Sequence, residues 1–165
     1  MKTRSIIVLS ILLFVNCQTE IEDRGTLNGA WTNEAHGFIT NITINTAEKT
    51  LEYEDSYKGI IANSPDFTSV NGVLIIQFTE YWEWDYSNFP DVTRNENLEN
   101  IGKFGALYWK DLKSNLVYLA DAYTYVPPTD YIHTLFDDLE AAKRNFTLDN
   151  VGSYIDWSVV SPYTK

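Results

Sequence analysis

Asn71-Gly72-Val73-Leu74-Ile75-Ile76-Gln77-Phe78-Thr79-Glu80-Tyr81-Trp82-Glu83-Trp84-Asp85-Tyr86 decides the fold. Asn-Gly is a tight-turn signal between strands. The residues after it are rich in β-branched and aromatic side chains and predict one long strand over 73–86. In regular alternation, Leu74, Ile76, Phe78, Glu80, Trp82 and Trp84 share one face. Val73, Ile75, Gln77, Thr79, Tyr81 and Glu83 share the other. The first half is apolar on both faces, so this half is expected to be covered twice.

Upstream, the pattern is short period-2 runs split by turn residues. Strands are expected at Leu27–Asn33, Phe38–Asn45, Thr50–Ser56 and Tyr57–Ala62. Thr46-Ala47-Glu48-Lys49 reads as a hairpin turn and Asn63-Ser64-Pro65-Asp66 as a loop. Downstream, residues 87–100 read as a long polar loop around Pro90. Phe104–Asp111 and Leu116–Tyr125 form a further hairpin about Lys113-Ser114-Asn115. Pro127-Pro128 ends the β pattern. Thr129 or Asp130 then caps a helix with Ile132, Leu135, Phe136 and Leu139 as its apolar positions, ending near Arg144-Asn145. A last strand is expected near Tyr154–Val159. The whole predicts a mainly β domain: an antiparallel up-and-down barrel of about eight strands with one C-terminal helix and a final short strand.

The N-terminus reads differently. Lys2 and Arg4 precede an apolar run, Ile6–Val15, of about ten residues, shorter than the roughly 20 that a membrane-spanning helix needs. This fits a cleaved export signal over 1–16. The run stops at Asn16-Cys17, and the chain then turns polar. Residues 17–25 read as a tether, and 26–165 as the barrel domain. Cys17 is the one cysteine of the chain, without an intramolecular partner for a disulfide.

An apolar run that stops at a cysteine resembles the lipobox of bacterial lipoproteins. The resemblance implies a diacylglyceryl thioether on Cys17, cleavage before it and acylation (palmitate-like chains) of the new amine. It places the protein in the bacterial cell envelope, anchored by lipid, with the outer membrane favoured. Removing residues 1–16 takes away Lys2 and Arg4 and no acidic residue, moving the formal net charge from −11 to −13. So acidic a domain repels phosphate backbones and anionic headgroups. No nucleic-acid partner is expected, and no membrane contact beyond the lipid. The domain is read as a monomer.

Leu27-Asn28-Gly29-Ala30-Trp31, with the order of elements, resembles the lipocalins and their calycin relatives, which mark the first strand with Gly-x-Trp. That resemblance implies a tryptophan plugging the closed barrel end, often beneath an arginine from the last strand; residues 151–165 contain no arginine. Gly29-Ala30-Trp31-Thr32-Asn33 also resembles the first strand of avidins, although Phe38 stands at the position of that family's serine.

No Cys–His or His–Glu–His spacing for zinc, no phosphate loop and no Gly-x-Ser-x-Gly elbow is present. His36 and His133 read as ordinary surface residues. Glu80, Glu83 and Asp85 lie among aromatics, as in glycoside hydrolases, but Glu80 and Glu83 fall on opposite faces of a regular strand. No catalytic site, cofactor or metal is therefore expected, and the protein is read as a non-enzyme. Glu80 and Asp121 each sit among large apolar neighbours and would be half-buried carboxylates in need of a partner or a ligand. The candidate ligand-binding set is Trp31, Asn33, Tyr53, Phe78, Glu80, Trp82, Tyr108, Asp121 and Tyr123, around a small hydrophobic or amphipathic molecule. The alternative is a filled barrel whose rim aromatics, within 81–91, meet another envelope protein.

Overall fold

A computed structural model describes residues 24–35, 37–85, 91–127 and 130–165. The expected export signal, Cys17, most of the expected tether and His36 lie outside the described residues.

The chain forms β1 (Gly29–Ala35), β2 (Phe38–Asn45), β3 (Thr50–Tyr53), β4 (Tyr57–Ile61), β5 (Gly72–Asp85) and β6 (Thr93–Glu96). After these come β7 (Phe104–Lys110), β8 (Leu116–Asp121), β9 (Tyr123–Val126), β10 (Asp130–His133), α1 (Leu139–Asn145) and β11 (Pro162–Thr164). Ladder order is β4-β3-β2-β1-β11-β8-β7-β5, and β4 pairs with β5 to close an eight-stranded antiparallel barrel. β6 extends the sheet beside the far end of β5, and β9 with β10 form a separate two-stranded ribbon. The expected mainly β barrel with a C-terminal helix and a final short strand is the observed fold.

Inward residues fill the barrel: Trp31, Ile42, Ile44, Leu51, Tyr57, Ile61, Leu74, Ile76, Phe78, Leu107, Val117 and Leu119 are all buried. At the closed end Trp31 Nε1 donates to Leu27 O (2.8 Å), and Leu27 N donates to Phe67 O (2.9 Å). Lys165 lies over the Trp31 ring, with Nζ 4.3 Å from its centroid. The ammonium also donates to Thr26 O and Asn28 O. A second cluster lies outside the barrel wall, where Ile75, Ala106 and Tyr108 pack against Ala142, Phe146 and Ile155. The long strand is thus covered on both faces in its first half, as its apolar run requires. Gly72 opens it because a Cβ there would sit 2.0 Å from the Trp109 indole.

Four expectations are corrected. The helix begins at Leu139, not near Asp130, because Asp138 is its N-cap, accepting from Ala141 N at 2.7 Å. Tyr131, Ile132 and His133 pair with Tyr125, Thr124 and Tyr123 instead, a strand choice that aromatic and β-branched residues favour. Polar Thr93–Glu96, expected in a loop, forms β6 because β5 runs past the barrel and offers it a free edge. The Tyr154–Val159 strand is absent. Asp156 turns the chain by accepting from Ser158 N and Oγ, and the final strand forms later, at β11. The fourth correction concerns β5. Lys58 pairs with Glu80 but Gly59 with Phe78, so Thr79 is an extra residue, a β-bulge. The bulge resets the alternation: Tyr81, not Glu80, follows Phe78 into the interior.

Candidate functional site

The bulge determines what reaches the mouth, the end where β1 runs into β2, β3 into β4 and β8 into β9. Inward side chains there are polar or aromatic: Asn33 from β1, Tyr53 from β3, Tyr57 from β4, Tyr81 from β5 and Asp121 from β8. The period-2 alternation of β8 carries Asp121 inward after Val117 and Leu119. Its side chain is only 5% exposed.

Asp121 is held by neighbours from separate elements. Tyr57 Oη donates to Asp121 Oδ1 at 2.6 Å. His133 Nε2, from β10, lies 3.3 Å from Asp121 Oδ2, close enough for ion pairing but not aligned for a hydrogen bond. The other ring nitrogen, Nδ1, is hydrogen-bonded to Tyr81 Oη. Tyr123 stacks on the imidazole at 4.5 Å between centroids, and Tyr57, Tyr81 and Phe78 surround it at 5.9, 5.5 and 6.4 Å. Tyr53 Oη and Tyr163 Oη are 3.5 Å apart at the edge of this group.

Burial raises the phenol pKa of Tyr53, Tyr57, Tyr81, Tyr123 and Tyr163, and the Asp121 charge adds to it in each. These hydroxyls are therefore neutral donors at neutral pH. The chain Tyr81–His133–Asp121 has the connectivity of a nucleophile–base–orienter relay. Its terminal hydroxyl, however, is a phenol that burial holds in the protonated, weakly nucleophilic form. Among the described residues no group of three His, Cys, Asp or Glu side chains is placed to hold a metal.

Above the cluster, a groove of about 430 Å³ runs between the start of β2, the β3–β4 turn and the β5–β6 ribbon. Its lining mixes apolar side chains, among them Phe38, Ile39, Tyr53 and Trp84, with polar ones, among them Asn41, Glu54, Asp55 and Ser56. Phe38 and Ile39 are 75% and 68% exposed. Tyr53 belongs to both groove and interior, and so connects them.

Of the residues singled out from sequence, Tyr53, Phe78, Asp121 and Tyr123 come together here. Trp31 lies in the closed end. Asn33 is buried but committed to structure: its Nδ2 donates to Pro162 O at 2.6 Å, tying β1 to β11. Glu80 is corrected to the outer face, 3.3 Å from Lys58 Nζ, because of the bulge. Trp82 is also outside, beneath the Arg94 guanidinium at 4.8 Å. Tyr108 is under the C-terminal segment, donating to Thr147 O at 3.3 Å. His133, read as a surface helix residue, is instead central. Its signal was the run Tyr131-Ile132-His133-Thr134, which suits a strand after the Pro127-Pro128 pair better than a helix. Tyr57, Tyr81 and Tyr163 were also missed, Tyr81 because a regular strand would turn it outward.

No family model, curated protein or solved structure matches this chain.

Proposed function

We propose that this protein is a lipoprotein of the bacterial cell envelope, anchored through Cys17, whose barrel holds a small, partly hydrophobic ligand at its mouth. The groove carries this reading: both apolar and polar side chains line it, and Tyr53 among them packs edge-on against buried Tyr57. A barrel needed only as a packed core gains nothing from a carboxylate, an imidazole and several hydroxyls in its interior, because each must be desolvated and satisfied. The anchor rests on the sequence around Cys17.

Native mass spectrometry of the full chain, purified gently in detergent from its own host, tests the reading. The expected result is a reproducible extra mass that organic extraction removes. A clean apo mass, with no uptake of N-phenyl-1-naphthylamine, would overturn it. The Cys17→Ser variant is expected to leave the membrane fraction for the soluble fraction on cell fractionation; retention in the membrane would sink the anchor.

A second reading has its own observation. Tyr131 and Ile132 on the β9–β10 ribbon are 70% and 54% exposed and stand at the same end as Phe38 and Ile39. Such an apolar rim also suits a protein partner, and the apo outcome above would favour it.

A further inference from the structure

The cluster around Asp121 divides by origin. Tyr57, Phe78, Tyr81 and Asp121 stand on β4, β5 and β8, strands of the closed barrel. The imidazole they surround comes from β10, whose ladder hydrogen bonds go to β9 alone. The barrel thus builds a carboxylate walled by aromatic rings, and a separate ribbon inserts a flat, nitrogen-bearing ring into it. The Tyr57, Tyr81 and Tyr123 rings lie within about 6 Å of the imidazole, the range over which ring quadrupoles attract a cation. The Asp121 carboxylate supplies the charge that such a cation pairs with.

We infer that this is a recognition cage for a small organic cation, an ammonium or imidazolium carried on a flat ring, and that His133 is its built-in occupant. The inference rests on the reading of the mouth as a ligand site and names the chemical class of the ligand. A ligand of this class replaces the imidazole against Asp121, stacks where it stacked, and leaves its apolar remainder in the groove against Tyr53, Phe38 and Trp84. Charge around the entrance agrees. Glu54 and Asp55 line the groove, and Arg94 is held by Asp55. Lys58 is likewise taken up by Glu52 and Glu80. An anion meets a strongly acidic chain and the Asp121 carboxylate, whereas a cation is drawn in.

The test uses the full-length His133→Ala variant, which empties the cage and keeps Asp121, with three probes of similar shape: benzylammonium, benzyl alcohol and benzoate. Binding is read by tyrosine fluorescence and by chemical shift. Benzylammonium is expected to bind at least tenfold tighter than benzyl alcohol, with benzoate weakest. Adding Asp121→Asn is expected to erase the preference. Equal affinity for ammonium and alcohol would overturn the cation assignment while leaving the ligand-carrier reading intact. So would a native extra mass that proves to be a neutral or anionic molecule. No binding of any of the three, together with a clean native mass, would overturn both. If His133→Ala does not fold, the wild-type chain serves: benzylammonium, and not benzyl alcohol, is expected to shift the His133 ring-proton resonances. Unmoved resonances would overturn the inference.

Discussion

Toward its closed end, the barrel is filled by Leu27, Trp31, Ile44, Leu51, Ile61, Leu74, Leu112 and Val117. Toward its mouth, the same inward positions are held by Asn33, Tyr53, Tyr57, Tyr81 and Asp121, with His133 inserted among them. One alternation places both sets, but they obey different rules. In the apolar half any side chain of suitable volume serves, and stability follows the area removed from water. In the mouth half each buried group needs a specific partner at a specific distance, and an unmatched group costs more than a matched one contributes. The closed end is therefore built for stability. The mouth is built from matched polar pairs.

The largest effect expected from this contrast is in the closed end. Trp31→Ala removes a fully buried indole and the surface on which Lys165 rests, and is expected to cost about 3–5 kcal/mol in urea denaturation. A loss comparable to that of a surface substitution would mean that the closed end is not the stabilising half. Next, Asp121→Asn leaves Tyr57 and His133 with a weaker partner and is expected to cost about 1–3 kcal/mol by the same measurement. A gain in stability on that single change would show that the carboxylate is strained rather than satisfied.

High pH separates the halves without a mutation. Each mouth phenol is raised above its ordinary pKa, so the folded state keeps protons that the unfolded chain loses above about pH 10. The unfolded state then binds fewer protons, and stability that is fully present below pH 10 falls as pH rises. The expected slope is about 1.4 kcal/mol per pH unit for each such tyrosine. Denaturation midpoints measured from pH 9 to 11 check this. A flat profile would mean that the hydroxyls are open to solvent.

The smallest effect on stability, and the sharpest test of the contrast, comes from making the mouth resemble the closed end. The quadruple variant Tyr57→Phe, Tyr81→Phe, Asp121→Leu, His133→Leu removes the carboxylate, the imidazole and the two hydroxyls bonded to them together and is expected to be as stable as wild type or more so. Uptake of N-phenyl-1-naphthylamine or of the native ligand is expected to fall in that variant. Retained uptake would show that the polar groups take no part in binding.

Much of the barrel was legible in the sequence, because strands with one buried face declare their period. β2 falls on the expected residues, and β3, β4, β5 and β7 begin or end within a few positions of them. Asp121 was legible too, since Val117 and Leu119 set the face it must follow. Glu80 was not. The segment Thr79-Glu80-Tyr81-Trp82 fits either alternation, and the bulge that chooses between them answers to a partner strand, with Gly59 opposite Phe78. β6 carries no hydrophobic signal and exists because β5 offers an edge. The helix start was misplaced because Ile132, Leu135, Phe136 and Leu139 satisfy a helical period by chance, while the ribbon pairing that overrules it depends on residues before the prolines.

By itself the amino-acid sequence determined the mainly β class, the turns, the strand faces around the long apolar run and the acidic balance of the chain. It also set out the pattern at Cys17 on which the proposed anchor rests. Those properties are local, written in side-chain period and composition. Only the tertiary structure decided which aromatics and carboxylates face inward beyond Phe78, that Lys165 covers Trp31, and that His133 enters the barrel beside Asp121. Each of these depends on contacts between residues far apart in the chain. A single inserted residue in one ladder, or a ribbon folding back across a mouth, changes the chemistry of a site without changing the pattern that a sequence displays.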